Sequence, residues 1–115
     1  MEIVMARGDL EARTFVVTEN GRPPAEPFDN IYLTVKRSPK DREALIQKKL
    51  SDGTIYETET AGTFAFEIEP EDTDGLPYGE YGFDLEFFRD GSLKKTVVGR
   101  ITLTEEYTHH NNEGA

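Results

Sequence analysis

Phe83, Leu85 and Phe87 are separated by Asp84 and Glu86. A period of two marks a strand with one face in a core and the other in water. Arg89-Asp90-Gly91 then turns the chain, and Ile101 and Leu103 continue the apolar face, as in a hairpin built on an Asp-Gly turn. A two-residue loop would pair Phe83 with Val98 and Tyr81 with Arg100. Ile101 and Leu103 would then sit on the wrong face, because a one-residue slip exchanges all faces. A three-residue loop over residues 89–91 keeps the faces matched. It pairs Phe87 with Leu93 and Phe83 with Val97, sets Glu86 opposite Lys94, and is the expected register.

The same pattern predicts strands at residues 2–7 (Ile3 and Met5 on one side), 12–18 (Phe15 and Val17 inward, Thr14 outward) and 31–37 (Ile31, Leu33 and Val35 inward). It also predicts one at 63–69, with Phe64, Phe66 and Ile68 inward, and a short polar edge segment at 55–59. Asn20-Gly21 and Asp52-Gly53 supply turns, and three of the six prolines make residues 22–29 a loop. Residues 70–77 read as an acidic corner. Residues 38–50 admit two readings. Ser38-Pro39 fits a helix start, and the following residues have high helix propensity. Yet Leu45, Ile46 and Leu50 form no wide helical stripe, so a strand fits the spacing equally well.

Seven or eight short strands with frequent turns predict an all-β fold, an immunoglobulin-like antiparallel β-sandwich. The stretch from Asp74 through Gly79 to Tyr81 matches the corner that enters the penultimate strand of such domains. There a tyrosine two residues before a core position bonds back to the upstream backbone. Tyr81 is expected in that role, with Asp74 and Gly79 shaping the corner and Phe83 at the core position. One domain over residues 1–108 and a flexible tail over 109–115 are expected.

Composition narrows the function. The chain has 115 residues with 36% apolar side chains, and seven Phe and five Tyr give the core bulk. No run approaches the roughly 18 apolar residues that span a bilayer, and the first residues do not have the form of a signal peptide. With no cysteine, disulfides and thiolate chemistry are excluded. Residues 1–50 carry 9 basic and 8 acidic side chains, and residues 51–115 carry 4 and 15, so the net −10 lies in the second part. That balance argues against nucleic acid, whose phosphates need clustered Lys and Arg.

No constellation for catalysis emerges. Asp72-Thr73-Asp74-Gly75 resembles a calcium loop, but the first ligand is missing and the closing glutamate position falls on Tyr81. His109 and His110 lie in the tail without an evident third metal ligand. Glu67, Glu69, Glu71 and Glu86 are expected on solvent faces, where no pocket raises a pKa. No metal, no cofactor and no enzymatic activity are expected. Tyr32, Tyr56 and Phe88 are the candidate contact residues, Phe88 because it faces out of a well-patterned strand. Grouped together, they would form a platform for a carbohydrate or cell-surface ligand, the alternative function.

Residues 29–36 (DNIYLTVK) and 45–53 (LIQKKLSDG) resemble the N-terminal domain of phage baseplate upper proteins. The likeness continues through Phe66-Glu67-Ile68, Pro70–Thr73, residues 76–81, Phe83–Glu86 and residues 99–104. It extends over residues 10 to 108. The resemblance implies a loop over 40–43 and a strand over 44–50 paired with 31–37. It also implies an immunoglobulin-like sandwich that works without catalysis as a structural or assembly module of a phage or prophage tail or baseplate. Its partners would be other tail or baseplate proteins. It would form oligomers only within an assembly, touch neither nucleic acid nor membrane, and reside in the virion after synthesis in the bacterial cytoplasm.

Overall fold

The computed structural model describes residues 1–107; the expected boundary at residue 108, the tail and both histidines lie outside the described residues. Among the described residues eight strands form: β1 (Glu2–Ala6), β2 (Glu11–Val16), β3 (Asn30–Lys36), β4 (Ile46–Lys49), β5 (Ile55–Glu57), β6 (Thr63–Ile68), β7 (Gly79–Arg89) and β8 (Ser92–Thr104). One helical turn, α1 (Pro70–Thr73), precedes β7. The strands make a five-stranded sheet, ordered β1-β8-β7-β3-β4, and a three-stranded sheet, ordered β2-β6-β5. The fold is an all-β sandwich.

Alternation builds both layers. Ile31, Leu33 and Val35 of β3 and Tyr81, Phe83, Leu85 and Phe87 of β7 are buried, and they face Phe15, Phe64, Phe66 and Ile68 of the smaller sheet. Ile3, Met5, Val17, Ile46, Ile55, Ile101 and Leu103 complete this core. Phe15 joins the layers directly, meeting the Phe64 ring at 5.6 Å and the Phe87 ring at 6.0 Å. Such interdigitation of two inner faces is the main stabilising term of a sandwich.

The hairpin departs from the expected register. Arg89 pairs with Ser92, so the loop is the two residues Asp90 and Gly91, both with positive φ, 54° and 75°. That backbone suits a tight hairpin turn. The faces are restored one step later. Phe88 pairs with Leu93 but Phe87 pairs with Lys95, so Lys94 is the extra residue of a β-bulge. Phe83 therefore lies opposite Gly99 and Tyr81 opposite Ile101. Glu86 faces Thr96 rather than Lys94. Gly99 is required by its neighbour: a Cβ there would lie 2.7 Å from Phe83 Cε2 and 2.6 Å from the Met1 carbonyl oxygen.

Two further differences concern the sheet edges and the corner. The sandwich is not wholly antiparallel, since β1 runs parallel to β8, with Ile3 opposite Ile101 and Met5 opposite Leu103. After β1, Gly8 turns the chain with φ 85° and its N–H donates to Thr73 Oγ1 at 2.8 Å. The following strand thus enters the other sheet and leaves β1 beside β8. The acidic corner is not irregular throughout, because Pro70–Thr73 is helical. Asp72 Oδ2 accepts from Glu69 N–H at 2.8 Å and from Lys48 Nζ at 2.7 Å. Residues 38–45 form a loop, in which Ser38 and Asp41 hold one another through Asp41 N–H to Ser38 O at 3.0 Å and Ser38 N–H to Asp41 Oδ2 at 3.1 Å. That exchange is a turn. β4 then pairs antiparallel with β3, Ile46 opposite Val35 and Lys49 opposite Tyr32.

Candidate interaction surface

Position along the strands decides which side chains are free to meet another molecule. β7 lies in the middle of the five-stranded sheet, between β3 and β8, so it offers no edge and only its outer face is open. On that face Asn30 and Leu93 flank Phe88, and Tyr32 lies opposite Glu86. Phe88 is half-buried, because its ring meets the Tyr32 ring edge-on at 5.5 Å and 87°. Leu93 stands beside the pair and is 47% exposed. The three form an apolar cluster at one end of a sheet face whose other exposed large apolar side chains are Val98 and Val4.

Tyr56 does not join them. It projects from β5, the edge of the smaller sheet, and is exposed. Tyr32, Tyr56 and Phe88 therefore do not make one platform. Leu93 was hidden from the sequence pattern, since the expected register assigned it to the inner face opposite Phe87. Only the two-residue turn brings it across from Phe88.

The same face hollows into a concavity of about 730 Å³ next to the cluster, between the 38–45 loop and β8. Lys36, Arg42, Gln47, Asp84, Glu86 and Val98 line it. Lys36 Nζ is already committed to the Asp41 carbonyl oxygen at 2.7 Å, and Gln47 to Thr34 Oγ1 at 3.2 Å. Among the described residues Asp84 and Glu86 make no ion pair, which leaves two carboxylates facing outward on alternate positions of β7.

The carboxylates with perturbed proton affinity lie elsewhere. A hydrogen bond that the protonated Glu69 carboxyl donates to Glu71, together with the Glu71 negative charge, pushes Glu69 above its usual value. The Arg89 guanidinium holds Glu19 below it, and hydrogen bonds from Thr54 do the same for Asp52. All three groups are at the surface, where such shifts reflect local turns and pairs rather than a reaction centre. Among the described residues no three His, Asp or Glu side chains converge as a cation would require. Asp72 and Thr73 of the calcium-like stretch are engaged by Lys48 and Gly8.

The corner residues sit as follows. Tyr81 is buried and its Oη donates to the Pro77 carbonyl oxygen at 2.6 Å, with the Arg37 guanidinium 4.8 Å from the ring centre. Gly79 has φ 125°, a conformation that side chains disfavour. Asp74 contributes its backbone, N–H to Pro70 O at 3.1 Å, while its side chain is exposed.

With strand order and corner in view, the chain resembles the NK cell receptor NKp44, a triggering partner in natural cytotoxicity. The match has a TM-score of 0.52 at 16% identity and covers 90% of this chain and 96% of that one. The sandwich is immunoglobulin-like. At that identity the likeness is one of fold and carries no function. A putative glycoside hydrolase from Bacteroides vulgatus is a weaker neighbour, with a TM-score of 0.42 at 14% identity, 90% of this chain and 17% of that one. No protein-family model matches the chain, and no curated protein sequence matches it.

Proposed function

We propose that this immunoglobulin-like domain is a non-catalytic assembly module of a phage or prophage tail or baseplate. It binds another tail protein through the outer face of the five-stranded sheet. The tail assignment rests on the resemblance to baseplate upper protein N-terminal domains. The observation that carries the binding face is the Tyr32–Phe88 pair with exposed Leu93 beside it. Aromatic anchors dominate interface energies. A pair already held edge-to-face loses little rotamer freedom when a partner covers it. Asp84 and Glu86 beside it suit a partner surface that brings Lys or Arg to the rim, where charge speeds encounter.

The test is binding of the purified chain to tail proteins encoded next to it, by calorimetry. Leu93→Glu should weaken the complex by about tenfold or more, since it places a charge in the centre of an apolar contact. The melting temperature should stay nearly unchanged, because Leu93 lies outside the core. Phe88→Glu should act in the same direction. Turnover of a substrate, or tight glycan binding combined with indifference to every neighbouring tail protein, would defeat this reading.

A further inference from the structure

The sheet edges are closed to different degrees. β4 has four residues and carries Lys48 and Lys49. β5 has three, and Glu57 Oε2 folds back to accept from Gly62 N–H at 2.8 Å. Shortness and charge are usual ways to keep an edge from pairing. β2 is less protected, because its two charges, Glu11 and Arg13, pair with each other. It has six residues, EARTFV, without proline, lysine or bulge, and its register with β6 runs unbroken from Glu11 to Val16.

The side that β2 leaves open can be assigned. Val17 N–H donates to Gly62 O in continuation of the β2–β6 register, so the odd-numbered residues aim their backbone groups at β6. Ala12, Thr14 and Val16 then direct N–H and C=O away from the sheet, and their side chains lie on its outer face. All three are exposed, Val16 at 69%, and Leu10 just before the strand is 58% exposed. Around them the outer face is nearly free of charge: Thr63 and Ala65 of β6 and Tyr56 of β5, with Glu67 at one end.

The occupant follows from the charges on β2. It carries one acid and one base, Glu11 and Arg13, two residues apart and paired within the chain at 2.9 Å. We infer that the β2 edge pairs antiparallel with β2 of a second copy of this chain, about a two-fold axis at Ala12. In that register Glu11 of each copy lies opposite Arg13 of the other, so opposite charges face one another twice. Leu10 lies opposite Thr14, and Ala12 opposite Ala12. Arg13 Nε is buried without a hydrogen-bond partner among the described residues, and a second carboxylate beside it would satisfy it. The ladder would add about six backbone hydrogen bonds and merge two three-stranded sheets into one. A shift by one step of the ladder would set Arg13 against Arg13, which disfavours it.

Net charge opposes this contact. Each copy carries −10, whereas β2 itself is neutral, so repulsion acts at long range and pairing at short range. Salt screens the former. The dimer therefore strengthens as salt rises, the reverse of a contact held by long-range attraction. This pairing does not depend on the Tyr32–Phe88 face or on the tail reading.

Sedimentation equilibrium of the full chain should show monomer at about 10 mM salt, where the Debye length is about 30 Å, and dimer at about 0.5 M. Ala12→Lys, an exposed position on the axis, should weaken the dimer about tenfold or more by bringing like charges together. Arg13→Glu should do likewise by setting Glu against Glu. The double exchange Glu11→Arg with Arg13→Glu should restore the dimer, because it reverses both cross-pairs together. Thermal melts of each variant separate loss of pairing from loss of fold. A monomer at every salt concentration, a dimer indifferent to Ala12→Lys, or failure of a folded double exchange to recover association would overturn the proposal. So would loss of the dimer on Val4→Lys alone, which would place the contact on β1.

Discussion

At the end of the sandwich where β7 begins, the connections are fastened by partly buried bonds, two of them to the buried side chains of Tyr81 and Thr73. Tyr81 Oη reaches Pro77 O, Thr73 is fully buried and receives the Gly8 N–H, and the Lys48 ammonium closes on Asp72 at 2.7 Å. At the hairpin end one surface side chain does comparable work. Arg89 donates to both carboxylate oxygens of Glu19 at 2.9 and 3.2 Å and to the Glu26 carbonyl at 2.8 Å, and it covers the Phe28 ring at 4.5 Å. Both ends hold a loop against the sheets. The two neutral bonds, Tyr81 to Pro77 and Gly8 to Thr73, have little water to replace them, so losing them is expensive and indifferent to pH, whereas the Lys48–Asp72 pair beside them is charged. An exposed ion pair already competes with water and salt, so it contributes less and titrates.

Tyr81 offers the largest effect. Tyr81→Ala should cost about 3–5 kcal/mol in urea unfolding, because it removes a buried ring as well as the bond. Tyr81→Phe should cost only about 0.5–1.5 kcal/mol, the bond alone. Equal losses would mean that the ring contributes nothing, and the corner would then not be packed as described.

Thr73→Val keeps the shape and deletes the acceptor for Gly8 N–H, for an expected loss of about 1–3 kcal/mol. The loss should be the same at pH 4 as at pH 7. A loss that grows on acidification would blur the distinction between the two ends.

The smallest effect belongs to the hairpin end. Arg89 holds the Glu19 carboxyl below its usual value of 4.5. A depressed folded-state value means stability that is present above pH 4.5 and lost as pH falls through the lower folded value. Glu19→Gln should therefore lower the melting temperature slightly at neutral pH and flatten its decline on the acid side. Glu69 has the opposite sign: its value is raised by Glu71, so its contribution is present at low pH and lost as pH rises. Glu69→Gln should raise the melting temperature at neutral pH and change little near pH 3. Melts across pH 3–7 for both variants measure the two signs directly.

Much of the architecture was legible beforehand. Phe15, Val17, Ile31, Leu33, Val35, Phe64, Phe66, Ile68, Tyr81, Phe83, Leu85, Ile101 and Leu103 are all expected inward from alternation, and all are buried. Face parity also required Ile101 to stand with Tyr81, and it does. The candidate surface was less legible. Tyr32 and Phe88 carried the signal of large side chains at outward positions, while Leu93 carried none.

Alternation assigns faces because a side chain's side of the strand depends only on its own backbone. It could not choose between a three-residue loop and a two-residue turn with a bulge, since both keep the same parity. Nor could it decide between helix and strand at residues 38–50, where few apolar positions make the spacing ambiguous. Which strands become neighbours depends on contacts distant in sequence. The parallel seat of β1 beside β8 joins Ile3 to Ile101, and the central seat of β7 leaves it no free edge. The open flank of β2 follows from the same assembly, because an edge exists only where the last partner is missing.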